Sequence, residues 1–183
     1  PGMAPQSAPL LSFASEPLTV ALVGLNKHSN NLMTRNLFLT LGAEAYGAPA
    51  TPDKGARAVR AALTKRGVST RKLVLENGAG LSRVERISAD ALAQLLRAAY
   101  HSPLFAEFES ALPIVAIDGT LRRRFNGNSF SGSAHLKTGT LRDVSALAGY
   151  VYTARGERVR GLSSARTSGA GSPEARWATT RSR

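Results

Sequence analysis

The segment Ala134–Ala154, AHLKTGTLRDVSALAGYVYTA, constrains the fold more than any other part of the chain. Its second half is small and apolar, which is suited to a strand. Near its start stand Lys137, Thr138, Gly139 and Thr140. Lysine supplies charge and threonine a directional donor, so the pair can bind a carboxylate, and Gly139 leaves room for a substrate backbone. The alternative is a strand that merely begins with polar residues, because short motifs also match by chance.

A second polar cluster, Asn26–Asn31, lies between two runs of apolar residues at helical spacing. Asn and Ser are ordinary turn residues, so this cluster is either a plain turn or part of a site. In the second interpretation Ser29 and Asn31, which are two residues apart, both face a shared cleft. The residues alone leave both interpretations open.

Helix and strand signals alternate along the chain, with a glycine-rich loop at Glu76–Gly80 between two predicted helices. This alternation predicts an α/β (α+β) layered domain over residues 15–156. Residues 1–14 are rich in Pro, Ala and Ser and are expected to form a loose lead-in. Helix starts are predicted at three capping residues: Ser15, Thr51 and Ser88.

The charge distribution argues against a nucleic-acid partner, although the formal net charge is +12. Residues 155–183 hold seven arginines against two glutamates, which places a net +5 in this range. Trp177 is the only aromatic residue in this range, so it has no stacking platform for bases, and we do not expect nucleic-acid binding. Three scattered histidines and the lack of cysteine predict no metal site.

No apolar run approaches the ~20 residues that a membrane-spanning helix needs, so we expect no transmembrane segment. The first residues, Pro1–Pro5, lack the basic and apolar regions of a signal peptide. We therefore do not expect this chain to contain an export signal.

The Ser-x-Asn at Ser29 and the Lys-Thr-Gly at Lys137 form a pair of motifs found in penicillin-binding proteins and serine β-lactamases. Longer strings make the match more specific. They follow one another along the chain as Asn26–Met33 (NKHSNNLM), Glu76–Arg83 (ENGAGLSR), Leu112-Pro113, Asp118–Leu121 (DGTL), Lys137–Leu141 (KTGTL) and Ser145–Val151 (SALAGYV). Through these strings, residues 18–154 closely resemble the D-alanyl-D-alanine carboxypeptidase/endopeptidase family. These are the low-molecular-weight penicillin-binding proteins similar to bacterial penicillin-binding protein 4.

The resemblance implies a β-lactamase/transpeptidase-like domain, incomplete here, in which helices pack on a mostly antiparallel sheet. It implies a periplasmic serine peptidase that acts by acyl transfer and uses no cofactor. The implied partners are peptidoglycan stem peptides that end in D-Ala-D-Ala, together with β-lactams, which acylate such enzymes.

The resemblance also assigns roles to residues of the two motifs. Ser29 would carry the proton to the leaving amine, and Asn31 would hold the substrate amide. Lys137 and Thr138 would bind the terminal carboxylate, and the backbone N–H of Thr140 would form one half of an oxyanion hole. The predicted catalytic residues are Ser29, Asn31 and Lys137, and the predicted substrate-binding residues are Thr138, Gly139 and Thr140.

The family's nucleophile motif, Ser-x-x-Lys, lies upstream of Ser-x-Asn, and no such motif precedes Ser29 in this sequence. The sequence Ser69–Lys72 (STRK) fits the pattern, but a nucleophilic serine of this type stands at a helix N-terminus with its lysine one turn later. Lys72 instead leads into a strand pattern, so we reject this match. We predict that the chain holds no nucleophile, is the C-terminal part of the family's domain, and is inactive alone.

A different interpretation is a non-catalytic module that uses the same cleft to bind muropeptide without cleaving it. A β-lactamase is a weaker alternative, because it would need a deacylating carboxylate near the nucleophile and no motif here supplies one.

Residues 157–183 do not continue the family pattern, which requires a further apolar strand paired to residues 145–153. From Ser164 onward Trp177 is the only large apolar residue. We therefore expect this basic tail to be disordered or non-native. In addition, Ala79 stands where the family usually has a serine, which should affect loop hydrogen bonding more than chemistry.

Overall fold

The computed structural model describes residues 11–125, 127, 131–142, 144–153 and 155, and the backbone of two strands at 158–166 and 176–181. In the described part of the chain, helices come first and an antiparallel sheet follows. The helices are α1 (Leu18–His28), α2 (Asn31–Tyr46), α3 (Pro52–Lys65), α4 (Ala89–Tyr100) and α5 (Phe105–Ser110), with a 3₁₀ turn at Gly119–Leu121. The strands are β1 (Ala134–Leu141), β2 (Val144–Tyr152), β3 (Arg158–Arg166) and β4 (Arg176–Arg181).

Two of the three predicted helix starts are confirmed. Thr51 Oγ1 accepts from the backbone N–H of Lys54 at 3.3 Å, and Ser88 Oγ accepts from that of Ala91 at 3.2 Å. The prediction of a cap at Ser15 is wrong, because α1 begins at Leu18 directly after Pro17. A proline disfavours helical geometry in the residue before it, which explains the later start.

Helices α2 and α3 pack closely because each has a glycine where the two backbones meet. A Cβ added to Gly42 would lie 2.5 Å from the backbone N of Gly55, and one added to Gly55 would lie 2.7 Å from the carbonyl oxygen of Phe38. The Phe38 ring is buried, and it also packs against Gly78 of the glycine-rich loop. Phe38 thereby connects the helix pair to a loop that borders the candidate site.

The sheet has the strand order β1-β2-β3-β4, with every neighbouring pair antiparallel. Its first two strands cover two apolar clusters. One contains Val115, Leu121, Ala134 and Leu136, and the other contains Leu96, Leu112 and Tyr150. The predicted arrangement of helices packed on an antiparallel sheet is confirmed, and the buried side chains of β1 fix the strand that carries Lys137.

Strands β3 and β4 lie in the tail for which the sequence predicted a disordered or non-native ending. β3 pairs with β2 from Tyr152↔Arg158 to Val144↔Arg166, and β4 pairs with β3 in turn. Disorder is therefore not found in these two stretches, and the expectation of a non-native ending stays a prediction. Backbone N–H and C=O groups form a ladder whatever the side chains are, so a scarcity of apolar residues does not prevent pairing.

None of the helices in the described residues combines the length and the apolar character that crossing a membrane requires. The same residues contain no group of three or more His, Cys, Asp or Glu side chains placed to hold a metal ion.

Candidate active site

A cavity of about 550 Å³ lies between the C-terminal end of α1, the glycine-rich loop and β1. All six residues singled out in the sequence line it, namely Ser29, Asn31, Lys137, Thr138, Gly139 and Thr140. Ser29 and Lys137 are 108 positions apart in the chain and in direct contact in the fold. The structure therefore agrees with the interpretation of a shared cleft, rather than of two unrelated polar segments.

The turn between α1 and α2 consists of Ser29 and Asn30 alone, which is shorter than the predicted polar cluster. Ser29 ends α1 in the left-handed conformation, with φ 54° and ψ 48°. Asn30 caps α2, because its Oδ1 accepts from the backbone N–H of Met33 at 3.1 Å. Left-handed geometry is uncommon for a residue with a Cβ and is often found at functional sites. Here it accompanies a seryl hydroxyl that is directed at Lys137.

The Lys137 ammonium donates to Ser29 Oγ at 2.8 Å and to the carbonyl oxygen of Thr138 at 2.9 Å. Burial lowers the pKa of Lys137 below its ordinary value of 10.5, because desolvation penalises the charged form. A lysine with a lowered pKa exchanges protons more readily at moderate pH than a solvated one. Since Ser29 accepts from Lys137, the hydroxyl proton of Ser29 remains available to a second acceptor in the cavity.

The strand side of the cavity follows the register of β1 and β2. Gly139 pairs with Ala146, and among the described residues a Cβ added to Gly139 would meet only the Ala146 side chain, at 3.8 Å. Thr138 and Thr140 flank this open position. The structure therefore leaves open space at Gly139 on the cavity wall, and its use by a substrate backbone stays a prediction.

The glycine-rich loop is shaped by one carboxylate. Glu85 Oε1 accepts from the backbone N–H groups of Glu76, Asn77 and Gly78 at 2.9, 2.9 and 3.0 Å. Asn77 Oδ1 in turn accepts from the N–H of Ala79 at 2.8 Å. The loop thus presents Ala79 to the cavity on a backbone held by other residues.

Sequence reasoning missed an ion pair beneath the site. The Lys27 ammonium contacts the Asp118 carboxylate and also donates to the carbonyl oxygen of Leu112. The side chain of Lys27 is 14% exposed and that of Asp118 is 33% exposed, so water reaches the carboxylate more than the ammonium. It connects the end of α1 with the 3₁₀ turn that precedes the sheet.

Sequence reasoning also missed Thr120. This residue lines the cavity from the 3₁₀ turn, and its Oγ1 lies 2.9 Å from Thr138 Oγ1. The only signal was that Thr120 belongs to DGTL, one of the strings that carry the family resemblance. Local patterns do not reveal a hydroxyl contact between segments 18 residues apart.

The rejected Ser-x-x-Lys match lies in a turn after α3, where Leu73 N donates to the carbonyl oxygen of Thr70 at 3.1 Å. The backbone N–H of Ser69 donates to Gln94 Oε1 at 2.7 Å. The predicted reason for rejecting this match, that its serine does not begin a helix, is consistent with this geometry.

The sequence profile of the D-Ala-D-Ala carboxypeptidase 3 (S13) family matches residues 2–179, which is almost the whole chain. The chain belongs to this family. The match reaches into the range of β3 and β4, beyond the segment over which the short strings carried the resemblance.

Relatives of this S13 chain include two D-alanyl-D-alanine carboxypeptidases. The enzyme of Actinomadura sp. is 38% identical over 153 residues, which cover 81% of this chain and 28% of the relative. The carboxypeptidase DacB of Haemophilus influenzae is 31% identical over 160 residues, which cover 85% of this chain and 33% of DacB. The S13 chain therefore spans about a third of the length of these relatives.

The fold of this chain is also similar to solved structures. Penicillin binding protein 4 (dacB) from H. influenzae, complexed with a novel β-lactam, superposes with a TM-score of 0.78 at 28% sequence identity. The superposition covers 87% of this S13 chain and 38% of that protein. A predatory endopeptidase of Bdellovibrio bacteriovorus, in complex with an immunity protein, superposes with a TM-score of 0.60 at 27% identity.

Proposed function

We propose that this chain forms one side of the active site of a serine-type D-Ala-D-Ala carboxypeptidase/endopeptidase that acts on peptidoglycan peptides in the periplasm. Family membership supports the reaction class. The observation that supports the site is the 2.8 Å hydrogen bond between Lys137 and Ser29 in a cavity lined by both motifs.

The reaction is an acyl transfer. A nucleophilic serine hydroxyl attacks the carbonyl carbon of the penultimate D-Ala, and the bond to the terminal D-Ala nitrogen breaks. The proton of the nucleophile is transferred to the leaving amine, and water then hydrolyses the ester to free the serine and the shortened peptide. Ser29 delivers the proton to the amine, and Lys137, whose pKa is lowered by burial, exchanges protons with Ser29.

The other residues of the cavity bind and orient the peptide. Asn31 holds the substrate amide, and Lys137 together with Thr138 binds its terminal carboxylate. The peptide backbone lies along the open position at Gly139, and the N–H of Thr140 stabilises the oxyanion. β-Lactams occupy the same positions because they carry both a carboxylate and an acyl carbonyl.

The acylating serine is supplied by a part of the protein outside this sequence. Ser69, in the one motif of suitable pattern, has its backbone held by Gln94 in a turn after α3. We therefore expect this chain alone to be inactive, whereas the full-length protein is acylated.

The test is incubation of the full-length protein with a fluorescent penicillin, followed by mass spectrometry to locate the label. We expect labelling at a serine of a Ser-x-x-Lys outside these residues. Asn31→Ala should slow labelling at least tenfold, because the amide contact is lost. Asn36→Ala is the matched control, since Asn36 is exposed on the same helix, outside the cavity.

Three results would contradict the proposal: labelling of any residue within this chain, no labelling of the full-length protein, or equal effects of the two asparagine variants. Titration with a D-Ala-D-Ala peptide tests the alternative of a muropeptide-binding module. Saturable binding of the full-length protein without D-alanine release would favour that alternative.

A further inference from the structure

The hydroxyl groups of Thr120 and Thr138 share one hydrogen bond and together can donate one more. Each hydroxyl has one proton and two acceptor positions. The 2.9 Å contact between the two Oγ1 atoms uses one of the two protons, whichever residue donates. One O–H therefore remains, and both hydroxyls line the cavity.

Thr120 is held in place independently of any ligand. The 3₁₀ turn that carries it is anchored by Leu121, whose side chain is fully buried. On the other side, Asp118 Oδ1 accepts from the backbone N–H of Ile114 at 2.8 Å, and its carboxylate pairs with Lys27. The hydroxyl of Thr120 thus reaches Thr138 from a fixed position.

The same turn is fixed relative to the Ser29 side of the cavity. A Cβ on Gly119 would lie 2.6 Å from the carbonyl oxygen of Lys27, two residues before Ser29. The 3₁₀ turn therefore lies between the helix end that carries Ser29, which Gly119 approaches, and the strand that carries Lys137, which Thr120 contacts through Thr138.

We propose that Thr120 is a positioning residue that acts through Thr138, orienting the hydroxyl pair so that one O–H donates to the terminal carboxylate of the ligand. This inference rests on the proposed function, because it concerns recognition of the same carboxylate. When a carboxylate binds, Thr138 donates to it and accepts from Thr120, so the donor is oriented before the ligand arrives.

The experiment uses the full-length protein and two peptides that differ only at their ends. One ends in the D-Ala-D-Ala carboxylate and the other in the corresponding carboxamide, and kcat and KM for release of the last residue are measured for both. Thr120→Val removes the hydroxyl and keeps the shape, Thr120→Ser keeps the hydroxyl, and Thr40→Val is the matched control on the exposed side of α2.

We expect the wild type to prefer the carboxylate peptide. Thr120→Val should reduce that preference about fivefold, through a higher KM for the carboxylate peptide at nearly unchanged kcat. Thr120→Ser should retain the preference, as should Thr40→Val.

A Thr120→Val protein with the wild-type preference would overturn this inference and leave the proposed function standing. Equal losses on both peptides would also overturn it, because they would indicate a structural role. A wild type that lacks any carboxylate preference would overturn both this inference and the proposed assignment of the carboxylate site.

Discussion

The two walls of the cavity are built in different ways. The strand wall, Lys137–Thr140, lies in an antiparallel ladder that runs from Ala134↔Val151 to Leu141↔Val144. The turn wall, Ser29–Asn31, depends on a few specific contacts, which are the Asn30 cap, the Lys27–Asp118 pair and the close approach at Gly119. We therefore expect the strand wall to keep its shape when a reactive side chain is replaced, and the turn wall to move when a supporting residue is replaced.

We expect the largest change in acylation rate from a substitution in the strand wall. Lys137→Met should slow acylation of the full-length protein by about 10³-fold, because proton transfer with Ser29 is lost. The denaturation midpoint should not fall, since the backbone ladder remains and a partly buried charge is removed. Fluorescent-penicillin labelling rates and urea unfolding curves measure the two quantities.

Lys65→Met, on an exposed position at the end of α3, provides the control for loss of a lysine charge. If the urea concentration at the unfolding midpoint were much lower for Lys137→Met, the contrast between the two walls would be wrong. Such a result would show that the reactive side chain also stabilises the strand wall.

An intermediate effect is expected on the turn wall. Gly119 has φ 55°, and an added Cβ would lie 2.6 Å from the carbonyl oxygen of Lys27. Gly119→Ala should lower the free energy of unfolding by about 1–3 kcal/mol through overpacking and should also slow acylation, because the end of α1 must shift. Urea unfolding and labelling rates again provide the readout.

Gly127→Ala separates the effect of a steric clash from that of backbone strain. Gly127 also has a positive φ, at 78°, but no atom of the described residues lies within 4 Å of the added Cβ. If the two variants lost the same stability with equal acylation rates, the close approach at Gly119 would not be what positions the turn wall.

The smallest expected effect is the pH dependence of the stability that Lys137 contributes. Since burial lowers the pKa of Lys137, the unfolded chain binds more protons than the folded chain between that lowered pKa and 10.5. The contribution of Lys137 to stability therefore rises with pH across this window. Urea midpoints measured over the window should rise more for the wild type than for Lys137→Met, and parallel curves would contradict the assigned cause.

Local signals predicted part of this architecture. The caps at Thr51 and Ser88 follow from a few neighbouring residues. The residues of the two motifs left a plain turn and a shared cleft both open, and only the family resemblance favoured the cleft that the structure shows. The Lys27–Asp118 contact joins residues 91 positions apart, so no sequence periodicity reports it.

The tail shows a second limit of sequence reasoning. The apolar content of residues 157–183 gave no strand signal, yet β3 and β4 pair through their backbones. Side-chain patterns indicate which face of an element is buried, but they say little about the backbone pairing of a polar segment.

The hydrogen bonds that Glu85 accepts determine which positions of the glycine-rich loop can be substituted without changing its shape. One carboxylate oxygen holds three consecutive amides, and Asn77 holds the next, so the shape of the loop is encoded away from the residue that faces the cavity. We therefore expect substitutions that change the size or polarity of residue 79 to leave the shape of the loop unchanged. In this chain the residue at that position is Ala79, which lines the cavity.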